Sequence, residues 1–164
     1  MRVLVSDTSV LVDLERGGIL DACFALPFEF AVPDLLFRRE LAEYGGAALV
    51  GIGLRVEVLE PEEVTAAQNL RTANPKLSLP DAFAFVLASS RGWPLLSGDG
   101  ILRTLAERQQ VPVHGVLWVF DRMHDAKVME GAALADCLDR LAAHPRCRLP
   151  KAEVNKRLDI YRKI

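Results

Sequence analysis

Short apolar segments that end on an acid or a small polar residue, each followed by residues at helical spacing, constrain this chain more than any other feature. The opening Met1-Arg-Val-Leu-Val-Ser-Asp7 reads as a short strand buried on both faces, with Asp7 at its carboxyl end. Thr8 and Ser9 then supply a helix cap, followed by Val10, Leu11 and Leu14 at the spacing of one helical face. The pattern recurs. Residues 27–33 read as a strand, and Asp34 opens a helix carrying Leu36, Phe37, Glu40, Leu41 and Tyr44 that Gly45-Gly46 is expected to stop. Arg55–Leu59 alternates as a strand, and Pro61-Glu-Glu starts a helix that Asn74-Pro75 breaks. Ser78–Ser90 is apolar nearly all round and predicts a buried helix. Trp93–Leu96 predicts a strand ended by Ser97-Gly-Asp99-Gly, with helical spacing from Ile101. Val111–His114 reads as a last strand, and segments near 116–123, 131–143 and 151–163 read as helices. Strands alternating with helices predict a three-layer α/β/α arrangement around a mostly parallel sheet, whose ligands sit beyond the carboxyl ends of the strands.

The chain has 164 residues, just over half of them apolar, enough for one domain with a sizeable core, and no stretch reads as a linker. Cys23, Cys137 and Cys147 are odd in number and show no zinc-ligand spacing, which fits a reducing cytoplasm. No apolar run approaches the roughly 20 residues of a membrane span, and Asp7 interrupts the one segment that could mimic a leader, so a soluble, unexported protein is expected. Net charge is −2 but uneven: residues 146–164 hold seven basic and two acidic residues, leaving thirteen basic and twenty acidic before them. An acidic body does not hold nucleic acid by bulk charge, so any such contact must be local or metal-assisted. The basic tail reads either as an RNA-steering element or as a solvated helix face, and deleting residues 151–164 should weaken RNA binding with the fold intact if it steers.

Four acids share one kind of placement: Asp7 and Asp99 follow strands, Asp81 opens the buried helix, and Glu40 lies on a helix with an apolar face. Carboxylates brought together repel and raise one another's pKa, which a cation relieves, and oxygen-only ligands select a hard ion such as Mg²⁺ or Mn²⁺. Each acid also has a structural reading. Asp7 can cap the following helix. Asp81 stands three residues after Ser78, as the acid of a capping box does. Asp99 suits a turn, and Glu40, near Glu43, suits a solvated helix face. His114, His124, His144, Trp93 and Trp118 read as structural.

The stretches Val5-Ser-Asp7-Thr-Ser9, Val32-Pro-Asp-Leu-Leu-Phe-Arg-Arg-Glu40-Leu41, Leu79-Pro-Asp81-Ala82 and Leu95-Leu-Ser-Gly-Asp99-Gly-Ile-Leu-Arg103 resemble, in order and spacing, the PIN-domain ribonucleases, among them the VapC-type toxins. The resemblance covers nearly the whole chain. It implies a metal-dependent endoribonuclease in which Asp7, Glu40, Asp81 and Asp99 match the catalytic acids, with Asp7, Asp81 and Asp99 as metal ligands. Thr8 or Ser9, and Ser97, match supporting hydroxyl positions. It also implies a 5′-phosphate product, a homodimer and, for a toxin, a cognate antitoxin. Many relatives carry a further acid just after the position of Asp99, where this chain has Gly100-Ile-Leu-Arg103, so a second metal site lacks an obvious ligand; Asp121 is the substitute considered. The alternatives are a non-catalytic PIN-like module that binds RNA or protein, and a phosphoacceptor domain using Asp7, which the absence of a second acid at Ser9 disfavours.

Overall fold

The structure, a computed structural model, describes residues 2–163. Its centre is a five-stranded sheet of order β3-β2-β1-β4-β5, built from β1 (Arg2–Ser6), β2 (Phe28–Pro33), β3 (Arg55–Glu57), β4 (Leu95–Leu96) and β5 (Val113–His114). Every pairing is parallel, with Val5 opposite Ala31 on one side and Leu95 on the other. Leu4, Val5, Ala31, Leu95 and Leu96 are fully buried, as strands covered on both faces must be.

The helices supply the covering layers. They are α1 (Thr8–Arg16), α2 (Leu20–Cys23), α3 (Asp34–Leu36), a π-helix (Phe37–Gly46), α4 (Ala47–Gly51), α5 (Pro61–Ala73), α6 (Leu79–Arg91), α7 (Gly100–Arg108), α8 (Val116–Asp125), α9 (Gly131–Ala142) and α10 (Lys151–Tyr161). The all-round apolar helix is α6: Ala82 to Ala88 are all buried as it crosses β1, β2 and β4, with α5 packed behind it. Gly92, at φ +68°, ends it in the left-handed conformation that a side chain resists. In the other layer α1, α8 and α9 pack on one another, and α10 packs on α8 and α9.

The structure adds a π-helix where an ordinary helix was expected. The helix breaks where the double glycine was expected to stop it: Tyr44 and Gly45 leave helical geometry, Gly45 at φ +87°, and the chain then resumes as α4. In the widened turn, a side chain at Gly46 would meet the Leu41 carbonyl oxygen at 2.7 Å and the Phe37 ring at 2.8 Å, so the turn accepts only glycine there. The tail is not a free arm. Val154, Leu158 and Tyr161 of α10 are buried, and the Tyr161 carbonyl lies so close over Gly131 that no side chain fits between them. Removing residues 151–164 would take these buried side chains with it, so the truncation is expected to cost stability.

Chain order moves outward from β1 to β2 and β3, then returns to the other side of β1 for β4 and β5. The switch point lies between β1 and β4, where the carboxyl ends of two adjacent strands leave a crevice.

Candidate active site

Asp7 stands at that switch point, 1 % exposed. Its backbone N–H donates to Leu96 O across the β1–β4 junction at 3.0 Å. One carboxylate oxygen accepts from Ser9 Oγ at 2.8 Å and from the Val10 N–H at 3.0 Å, and the other accepts from Ser97 Oγ at 2.5 Å. Asp7 is thus the N-cap of α1 and a member of the acidic group at once; the two readings coexist. Burial pushes its pKa up, Asp99 adds to the rise, and the three donors oppose it.

Ser97, fully buried, joins two acids. Its hydroxyl donates to Asp7 and accepts from the Asp99 N–H at 3.0 Å, while the Asp99 carboxylate caps α7 by accepting from the Leu102 N–H at 3.2 Å. The two strand-end acids are therefore held in one hydrogen-bonded frame, each also completing the first turn of a helix.

Asp81 lies in the first turn of α6, where Ser78 Oγ accepts from its backbone N–H at 3.2 Å. Its pKa is raised to about 6, first by burial and then by the charge of Asp7, with Glu40 and Asp99 adding to it. Ser78 works against the rise, and the charges acting on Asp81 are all negative. Glu40 reaches the same group from the π-helix and accepts a hydrogen bond from the Thr8 hydroxyl. Glu43, one turn further on, is exposed. The structure thus brings together Asp7, Glu40, Asp81 and Asp99 with Thr8, Ser9 and Ser97.

Asp121 faces elsewhere. Its two oxygens share the single Arg157 Nε–H, each at 3.1 Å, and it accepts from Nη2 at 2.9 Å and from the Tyr161 hydroxyl at 2.6 Å, tying α8 to α10. Those bonds occupy the acceptor sites a metal would need.

The donor chemistry fits a hard divalent ion, because the convergent side chains offer oxygen alone and the charges around Asp81 are uncompensated. Among the described residues no group of three or more His, Cys, Asp or Glu is arranged to hold a metal ion. The acids are close enough to couple electrostatically without closing into a cage. Mg²⁺ keeps several waters and takes one or two carboxylates, so an open set of this kind is compatible with it.

Three clefts lie beside the acids; one, of about 530 Å³, is lined by Asp99, by Thr104 and Arg108 on α7 and by Asn74, and the other two differ in character. One, of about 580 Å³, lies between α1, α2 and the π-helix, touches Thr8 and Glu40, and carries Glu15 and Asp21 among apolar residues. The other, of about 500 Å³, runs along α7, β5 and the start of α8, with Gly98, Arg103, His114, Trp118 and Arg148 in its walls. The sequence reading assigned His114 and Trp118 to structure and gave Arg103 and Arg148 no individual role. A signal existed in Arg103, which follows Asp99 by four residues and so shares a face of α7 with that acid.

A family model described as a PIN domain matches residues 3–163. No curated protein matches the chain. PIN domains are generally nucleases that use divalent metals. The matched span takes in all five strands, both strand-end acids and the C-terminal helices, and the five-stranded parallel sheet between helical layers is the architecture the match calls for. The chain belongs to the PIN-domain family.

Proposed function

We propose that this chain is a metal-dependent endoribonuclease, folded as a single domain over residues 1–164, with Asp7, Glu40, Asp81 and Asp99 as its catalytic acids. The observation that supports this reading is the environment of Asp81: burial raises its pKa first, and three other carboxylates raise it further, a repulsion that a divalent cation relieves. Asp7, Asp81 and Asp99 are the residues that would hold Mg²⁺ or Mn²⁺. The ion supplies a bound water of lowered pKa and stabilises negative charge at the scissile phosphate.

The protein's own part is positioning. Ser9, Ser97 and the Val10 N–H take three of the roughly four acceptor sites of the Asp7 carboxylate and leave one to face the crevice. Ser97 keeps Asp99 in register with Asp7, and Thr8 orients Glu40. Because both strand-end acids also cap helices, their carboxylates are held before substrate arrives, and little reorganisation remains for the reaction.

In its finer form the reading makes the protein a cytoplasmic toxin, dimeric and silenced by an antitoxin. The cleft bearing Glu15, Asp21 and Glu40 beside apolar walls suits a basic, partly apolar inhibitory segment. A non-catalytic RNA-binding module is the second reading, favoured by Gly100-Ile-Leu-Arg103, where no acid follows Asp99.

The test is cleavage of single-stranded and structured RNAs with Mg²⁺ or Mn²⁺. EDTA is expected to abolish it, and Asp7→Asn and Asp99→Asn, each checked for folding by circular dichroism, are expected to lose at least about a hundredfold. Activity that survives EDTA, or that survives in both variants, sinks the proposal; RNA bound but never cut supports the second reading.

A further inference from the structure

Two of the clefts beside the acids differ sharply in charge. The one against the π-helix carries Glu15, Asp21 and Glu40 and no Lys or Arg. The one along α7 and β5 carries Arg103, Arg148 and Arg157 against a single acid, Asp13. Arg157 is committed to Asp121 and Glu153. Arg103 and Arg148 enter no ion pair among the described residues.

This second cleft begins beside the acids of the site, none of which is in its own wall. Gly98, in its wall, lies between Ser97 and Asp99, and a side chain there would come within 4.0 Å of Ser9 Oγ, the donor to Asp7. Arg103 Nη1 donates to the Ser97 carbonyl at 3.1 Å, which anchors a guanidinium one residue from the Asp7–Asp99 frame. Further along, the rings of His114 and Trp118 stack in parallel, 4.1 Å between centroids and 9° between planes, with the Arg122 guanidinium 5.5 Å from the Trp118 ring. Both rings line the cleft and are half-buried. The local field is positive: burial, then Arg2, Arg103 and Arg122, push the His114 pKa down. A neutral imidazole stacked on an indole is a platform for a base, and guanidinium groups beside it suit phosphates.

The geometry points to this cleft as the path of a single RNA strand leaving the acidic centre, with Arg103 and Arg148 on its phosphates and the His114–Trp118 stack under an unpaired base. The inference rests on reading the acids as the cleavage site. It deepens that reading by assigning the strand a side, since phosphates are repelled from the cleft of Glu15 and Asp21 and attracted to this one. It also narrows the role of the basic tail: Arg148 takes part, whereas Arg157 and Arg162 are held by Asp121 and Asp139. A stacking platform takes an unstacked base and has no access to one inside a duplex, so the expected ligand is single-stranded.

The experiment is direct binding in EDTA, where cleavage does not intervene. The chain has two tryptophans, so Trp93→Phe leaves Trp118 as the sole emitter. Oligoribonucleotides of about ten nucleotides are expected to quench that emission, and the matching duplex is not. Arg103→Gln and Arg148→Gln are each expected to lower the slope of log affinity against log salt by about 0.7, and Trp118→Leu to weaken binding about tenfold. Lys127→Gln, outside the cleft, should match the parent protein. Arg148 is exposed and unpaired, so its variant reports on the cleft even if Trp118→Leu misfolds. Binding that leaves Trp118 emission unchanged, wild-type affinity and salt slope in both arginine variants, or no binding of single strands overturns the inference. Quenching without metal-dependent cleavage leaves the cleft standing and removes the nuclease reading; cleavage unaffected by the arginine changes does the reverse.

Discussion

Burial, and then the charges of Asp7, Glu40 and Asp99, act on the Asp81 carboxyl, and its pKa of about 6 against an ordinary 3.8 makes it a determinant of stability. A raised carboxyl pKa means that the folded chain binds more protons than the unfolded one between those values, so stability falls as pH rises through that window. The penalty is complete above about 6 and absent below 3.8. His114, whose pKa is pushed below 6.5, acts in the opposite sense as it gains a proton, so comparison with a variant isolates the carboxyl. Asp81→Asn is expected to melt at a higher temperature than wild type at neutral pH without metal, and the gap should close as the buffer is acidified below the Asp81 pKa. Thermal denaturation in EDTA across that range checks both parts, and an Asp81→Asn protein no more stable at neutral pH contradicts the account of a carboxylate penalised by burial and by its neighbours' charge. The placements of Asp7, Asp81 and Asp99 were legible one by one because strand ends and helix starts leave marks in a sequence, whereas Glu40, inside a helix, carried no such mark. The Ser97 relay was legible only as a hydroxyl position, since its two hydrogen bonds depend on β4 lying beside β1, and pairing order leaves no local mark.

Among the elements, the π-helix departs furthest from expectation. Apolar spacing announced a helix from Asp34, and a double glycine announced its end; neither shows that the turn widens to carry Glu40 toward Thr8, because a single wide turn barely alters the apolar period. The evidence for it lies in close approach. Gly46→Ala places a methyl against the Leu41 carbonyl and the Phe37 ring, contacts that force the turn to shift. The expected cost is about 1–3 kcal/mol in denaturant unfolding, together with reduced cleavage as Glu40 moves away. A variant as stable as wild type would show that the turn can tighten and that glycine is not required there. The edges of the elements were read less well than their existence: β3 and β5 are shorter than their apolar runs, since pairing, not hydrophobicity, decides where a strand stops.

At the scale of the whole molecule, α10 is a structural member of the helical layer, which its basic composition concealed. Its buried residues recur at four- and three-residue steps among charges, and the link from Tyr161 and Arg157 to Asp121 spans 40 and 36 residues, a distance at which sequence spacing carries no information. Tyr161 is 2 % exposed, so Tyr161→Ala removes a packed ring and leaves Asp121 short of a donor; the expected loss is about 3–5 kcal/mol, a large share of the roughly 5–15 kcal/mol that holds a domain together. Equilibrium unfolding in urea measures it, and a loss under about 1 kcal/mol would mean that α10 is dispensable after all. The bond from Ser97 to Asp7 joins residues 90 apart, with β2 and β3 and the helices between and after them lying in the intervening chain. Closing so long a loop is entropically slow, and it cannot be hastened by local helix formation. A chain in which β4 has not yet docked holds Asp7 without its partner and Asp99 without its frame. The acidic frame is therefore among the last features such a molecule assembles as it folds and among the first it surrenders when the sheet opens, so that any chemistry it carries is confined to the finished fold.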